Sequence, residues 1–171
     1  MLNEKVRQLI AEQINKEFYS AYLYLDFSNY FQAKGLDGFA NWYQIQAREE
    51  QDHAMMFYRY LHDNGAAVTL EAIAKPNVST ENDMAVLTAG LHHEEAVTAS
   101  INGIYAAAGE AGDFRTMQFL GWFIKEQAEE ETNAHNLISK MELFGSDAKG
   151  LYLLNSELAG RTYKAPAASE E

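Results

Sequence analysis

Cysteine is missing from this chain altogether. Its absence excludes a disulfide scaffold, a zinc ribbon, an iron–sulfur cluster and a thiol nucleophile, and agrees with a reducing cytoplasm. Proline is almost missing: Pro76 and Pro166 are the two, and both lie outside the long periodic stretches. No window approaches about 18 consecutive apolar residues, so no membrane-spanning helix is expected. The opening Met1-Leu2-Asn3-Glu4-Lys5-Val6-Arg7 is polar where a signal peptide needs an apolar centre. Cations are scarce: 13 Lys and Arg stand against 25 Asp and Glu, for a net charge of −12. Nucleic-acid binding relies on a cationic surface, so that class is excluded. The expectation is a cytoplasmic protein with neither a membrane nor a nucleic-acid partner. Its acidity serves solubility and is compatible with drawing in metal cations.

Apolar residues make up 47% of the 171, enough for one domain with a real core. Apolar residues recur in steps of three and four through four long segments, the period of bundle helices. The first runs from about Asn3, a plausible N-cap, to Ala33, with the seam Ile10, Ile14, Glu17, Ala21, Tyr24, Ser28 and Phe31. The second runs from Asp37 to Asn64, with the seam Phe39, Tyr43, Gln46, Glu50, His53, Phe57 and Tyr60, and Gly65 stops it. The third starts near Thr80 and runs to Glu110, with the seam Met84, Leu87, Leu91, Glu94, Thr98, Ile101 and Tyr105. Gly90 and Gly103 inside it are expected to mark close packing. The fourth opens at Asp113 and ends at Phe144, with the seam Leu120, Phe123, Gln127, Glu130, Ala134, Leu137 and Met141. A short fifth segment, Asp147 to Leu158, places Leu151, Leu154 and Leu158 on one face.

Between the second and third segments lie about 15 residues with Pro76 and turn chemistry near Asn77 and Ser79. Fully extended they span about 50 Å, and a helix of about 30 residues is about 45 Å long, so this loop can return the chain along a whole bundle. Val68, Leu70 and Ile73 give it apolar side chains to pack with. The expected fold is all-α: a four-helix bundle with one long crossover and a short fifth helix, residues 1–160 as one domain and 161–171 as a flexible tail.

Each seam is broken by polar residues: Glu17; Glu50 and His53; Glu94; Gln127 and Glu130. The helix midpoints fall near residues 18, 50, 95 and 128, and midpoints meet in one layer of a bundle whatever the helix directions. The intruders therefore converge. Buried carboxylates without compensation cost several kcal/mol each. Two divalent cations would balance them, and oxygen ligands with one imidazole suit iron or manganese. The plain alternative is a hydrogen-bonded polar layer that fixes helix register. Glu49, Glu126, Glu129 and Glu130 form a second acidic cluster, read either as a third cation site or as a solvated face. Tyr24 is placed to hydrogen-bond a ligand or lend an electron, or to be a satisfied buried tyrosine. Trp122 is read as core, and His62, His92, His93 and His135 as surface or structural.

The set Glu17, Tyr24, Glu49-Glu50-x-x-His53, Glu94, Trp122 and Glu126-Gln127-x-Glu129-Glu130 resembles prokaryotic non-haem ferritins over essentially residues 1 to 160. The resemblance implies an iron-storing ferroxidase. Fe(II) would bind at Glu17, Glu50, His53, Glu94, Gln127 and Glu130, with Glu50 bridging the two irons. Glu49, Glu126, Glu129 and Glu130 would hold a third iron. O2 or H2O2 would be the oxidant, and ferric mineral would collect inside a 24-subunit shell whose four-fold axis the fifth helix lines. Three features depart from relatives of this family. A bacterioferritin would carry a haem-ligand methionine where this chain has Gln51, and histidine at Glu130, so no haem is expected. The second metal motif is reduced to Gln127-x-x-Glu130, which implies weaker binding there. The segment Met117 to Leu120 is mostly apolar where animal ferritins carry an acidic entry pair. A di-iron oxidase or peroxide scavenger without storage, or a bacterioferritin-like protein, stays the alternative.

Overall fold

In the computed structural model, residues 2–78 and 80–166 are described. Ser79, at the expected turn, and the tail residues 167–171 lie outside them. Among the described residues the fold has five α-helices: α1 (Glu4–Ala33), α2 (Asp37–Asp63), α3 (Asp83–Glu110), α4 (Phe114–Phe144) and α5 (Ala148–Leu158).

The helix ends follow from local chemistry. Asn3, Asn82, Asp113 and Asp147 each accept backbone N–H groups at an N-terminus, satisfying donors that have no partner within the helix. Helix α3 therefore begins at Asp83 and not near Thr80: Asn82, extended and bonded to the Ala85 N–H, is the cap. Gly35, Gly65 and Gly112 follow helix ends at φ of 73°, 72° and 66°, a conformation that side chains with a Cβ disfavour. Helix α2 has no cap of its own at Leu36. Its first N–H groups donate instead to Oδ1 of Asn155 on α5, at 2.8 Å from Gly38 and 3.3 Å from Phe39.

Contacts between the helices give their directions. Lys5 pairs with Glu110 and Tyr30 with Asp83, so α1 and α3 run antiparallel. Tyr60 meets Thr116 and Gln46 meets Glu130, so α2 and α4 are antiparallel too. Helices α1 and α2 form one hairpin, α3 and α4 the other. Because α2 and α3 then point the same way, the connection between them must return the chain along the bundle, as its length anticipates. Val68 and Val78 of that crossover pack on the core, but Leu70 and Ile73, expected to pack there too, are exposed at 66% and 47%.

Two apolar clusters fill the bundle. One contains Phe27, Phe31, Phe39, Tyr43, Val86 and Leu154. The other contains Ile10, Ile14, Phe57, Ile101, Leu120 and Phe123. Each buried phenylalanine contributes on the order of 1.5–3 kcal/mol, and stacking of Phe57 on Phe123 at 4.1 Å adds to it. Gly90 does mark a close approach, with the Tyr43 hydroxyl 3.4 Å from where a Cβ would stand. Gly103 does not: it is exposed with nothing nearby. Between the two clusters, near mid-length of every long helix, lies a layer of polar side chains.

Candidate metal centre

The seams bring the six intruders to that layer, and all six are buried: Glu17, Glu50, His53, Glu94, Gln127 and Glu130. Glu17 comes from α1, Glu50 and His53 from successive turns of α2, Glu94 from α3, and Gln127 and Glu130 from α4. Glu50 and His53 share a face because three residues make nearly one helical turn. Glu17, Glu50 and His53 each present a ligand atom within 4.8 Å of the others'. Among the described residues this is the one group of three such side chains so spaced. The Nδ1 of His53 lies 3.4 Å from Oε2 of Glu50, and the imidazole is fixed by edge contacts with Trp122 and Phe123. Trp122 thus packs on the site as well as on the core.

The other three intruders meet partners in the same layer. Glu94 accepts from the Tyr24 hydroxyl and, at 3.0 Å, from the Gln127 amide. Glu130 accepts from the Gln46 amide at 2.6 Å. Glu17 accepts from Gln13 at 2.9 Å through Oε1, while its Oε2 is buried with no partner. A buried carboxylate oxygen without a donor is costly. Its place beside Glu50 and His53 gives it a cation-shaped role: hard oxygen and nitrogen donors around an uncompensated charge.

Electrostatics point the same way. Burial, and then the neighbouring Glu50, push the Glu17 carboxyl well above the usual carboxylate range. Burial followed by repulsion from Glu94 and Glu130 does the same to Glu50. Glu94 is raised by burial, against hydrogen bonds from Tyr24 and Gln127 that lower it. Glu130 is raised to about 8 by burial and by Glu94. Burial therefore raises all four carboxyls at one depth, and incoming cations would compete with protons for them.

The second acidic cluster is looser. Glu130 is buried, Glu49 and Glu126 are half-buried, and Glu129 is exposed. Burial raises the Glu49 carboxyl, Arg161 opposes it, and the nearby Glu126 adds a smaller rise. Oε2 of Glu49 is paired at 2.5 Å with Arg161, from the segment after α5. His62, His92 and His135 are exposed. His93 is held between α1 and α3, with Nε2 2.8 Å from the Ser20 hydroxyl, and burial lowers its pKa to about 4.

Sequence reasoning missed three contributors. Gln13 and Gln46 orient Glu17 and Glu130. Each sits four residues before an intruding glutamate, Glu17 and Glu50 respectively, and that spacing was the available signal. Arg161 sits outside any periodic stretch and gave none.

A family model described as a ferritin-like domain matches residues 7–144. A probable bacterial non-heme ferritin-like protein of Haemophilus influenzae is 33% identical, over 96% of this chain and all of its own length. A bacterial non-heme ferritin of Staphylococcus saprophyticus is 34% identical over 95% of this chain and 98% of its own. The open pore ferritin of Archaeoglobus fulgidus superposes with a TM-score of 0.92 at 37% identity, over 95% of this chain and 100% of its own. With the two hairpins, the crossover, the fifth helix and the buried carboxylate layer all in place, this chain belongs to the ferritin family.

Proposed function

We propose that the protein oxidises ferrous iron at the buried layer and stores the ferric product. The observation that carries this reading is the convergence of Glu17, Glu50 and His53, with Oε2 of Glu17 buried and lacking a donor. In this reading the first ferrous ion is taken by Glu17, Glu50 and His53, whose geometry is ready to hold it. The second is taken by Glu94, Gln127 and Glu130, with Glu50 shared. That half has to exchange the hydrogen bonds from Tyr24, Gln127 and Gln46 for cation contacts, and so it binds more weakly.

The carboxylates do three things. They bring the two ions to one place, they give up protons as the ions arrive, and they stabilise the higher charge of the ferric product. Each ferrous ion gives one electron to O2, which with two protons becomes H2O2; with peroxide as oxidant, the two electrons and two protons yield water. His53, clamped by Trp122 and Phe123, fixes the geometry of the first ion.

Storage requires a closed shell. Exposed apolar side chains on the crossover, at Leu70 and Ile73, and on α5, at Tyr152 and Leu153, are available to bury against neighbouring copies; the number of copies, 24, is carried over from the family resemblance alone. No helix among the described residues is long and apolar enough to cross a membrane.

The test is Glu50→Ala. Stopped-flow absorbance after aerobic addition of ferrous iron should lose its rapid phase, while far-ultraviolet circular dichroism stays that of the parent. An unchanged rate refutes the assignment. Iron loading followed by size-exclusion chromatography separates the readings. Many irons per chain in a large shell support storage, whereas about two retained metals in a small oligomer support a di-iron oxidase or peroxide scavenger.

A further inference from the structure

Beside the metal centre the chain supplies a cation of its own. After α5 the backbone turns back on α2, where the Asn41 amide donates to the carbonyls of Leu158 and Arg161 at 3.3 and 3.1 Å. The Arg161 guanidinium lies over the Trp42 ring, 4.1 Å from its centroid. One of its nitrogens donates to the Trp42 carbonyl at 3.2 Å and to Oε1 of Gln46 at 2.8 Å; the other reaches Oε2 of Glu49 at 2.5 Å. Two residues on, Tyr163 stacks on Arg48 and donates to Asp52. The strap from Arg161 to Tyr163 is thus fastened along one stretch of α2, where a frayed tail was expected from the sequence.

Arg161 touches the site through two of its neighbours. Glu49 precedes Glu50 and faces Glu126. Gln46, whose oxygen Arg161 holds, points its amide group at Glu130. Trp42 and Gln46 also line a cavity of about 20 Å³ whose wall includes Glu94 and Glu130, room for one water-sized species. Both pairing groups are mostly shielded, with side-chain exposures of 17% and 18%, so the ion pair is less screened than one on the surface.

We propose that Arg161 is a tethered competitor for divalent cations at Glu49: a metal ion bound by Glu49, Glu126 and Glu130 and the Arg161–Glu49 pair exclude each other. The inference rests on the ferroxidase reading for the site itself and adds its regulation. With the strap fastened, the guanidinium neutralises Glu49 and keeps Gln46 turned toward Glu130. With the strap released, Glu49 regains its charge and Gln46 is free to rotate, so a further cation can bind beside the pair. The chain end then governs how readily a metal ion moves from the buried layer toward Glu126 and Glu129.

Isothermal titration of the assembled, metal-free protein with Zn(II) tests this, using Arg161→Gln and Arg161→Lys beside the parent. Zn(II) avoids oxidation, so binding is read without turnover. The parent should show two tight events per chain and a weak third. Arg161→Gln should tighten the third by about tenfold, the scale of one charge-assisted contact, and leave the first, at Glu17, Glu50 and His53, unchanged. Arg161→Lys keeps the charge but cannot span Trp42, Gln46 and Glu49 together, so it should fall between. Parallel titrations of Arg161→Gln and the parent at the third event overturn the proposal while leaving the ferroxidase reading intact. Absence of the first two events from the parent overturns both.

Discussion

Replacing Glu130 by glutamine should stabilise the metal-free protein, increasingly so as the pH rises. Glutamine keeps the shape, and its carbonyl oxygen still accepts the 2.6 Å bond from Gln46, but it carries no charge. Burial and repulsion by Glu94 raise the Glu130 carboxyl to about 8. A carboxyl whose folded pKa exceeds its unfolded value holds its proton more tightly in the native state. Parent stability is therefore fully present below about 4.5 and is lost as the pH rises through about 8. At about 1.4 kcal/mol per pH unit, the full span amounts to roughly 5 kcal/mol. Local rearrangement around the charged form makes that a ceiling. Each kcal/mol moves the melting temperature of a chain this size by roughly 2–4 °C, so the variant should melt about 5–15 °C above the parent at pH 9 and near it at pH 5. Thermal melts of both proteins in chelator across that range provide the assay, and pH-dependent groups common to both cancel in the difference. Saturating divalent metal should then raise the parent more than the variant. A melting difference independent of pH would refute the reasoning, because it would mean that no buried charge is being formed at residue 130.

Tyr24→Phe removes the hydroxyl that helps keep Glu94 ionised; the midpoint of metal uptake against pH should move upward, and an unmoved midpoint would show that the bond has no bearing on binding. Gly38→Ala places a methyl group 1.7 Å from the Asn155 carbonyl oxygen, so α5 must leave its seat, at a cost of about 1–3 kcal/mol or more. Gly103→Ala is the matched comparison: nothing lies within 4 Å of the added carbon, and the exposed helix interior should gain about 0.5–1 kcal/mol, both effects being read from thermal melts.

The bundle was legible because its helices repeat apolar residues on the period of their partners, and the candidate centre because its polar residues break that repeat at one depth. Glu17, Glu94 and Glu130 are informative in sequence only as misfits on otherwise apolar seams. Gln13 hid because glutamine at an ordinary helix position carries no signal until Glu17 is known to need an orienting donor. The start of α3 hid because Thr80, Asn82 and Asp83 all suit a helix N-terminus, and only the extended backbone at Asn82 decides among them. Leu70 and Ile73 looked like packing residues because hydrophobicity alone does not separate a side chain packed on the bundle from one left exposed on its surface. Arg161 was beyond reach because its contact with Glu49 spans 112 positions and depends on how α5 docks.

That docking also bears on how the chain matures. The first turn of α2 is completed by Asn155, 117 residues downstream of Gly38. During synthesis the first hairpin can form before α5 exists, but the helix that carries Glu50 and His53 keeps open donors at its start until α5 has been made and docked. A product that stops before α5 has all six residues of the buried polar layer yet lacks the Asn155 cap, with Gly38 uncovered. The presence of α5 is thereby recorded in the stability of the α1–α2 hairpin, giving proteolysis a physical basis for telling chains with a docked α5 from chains without one.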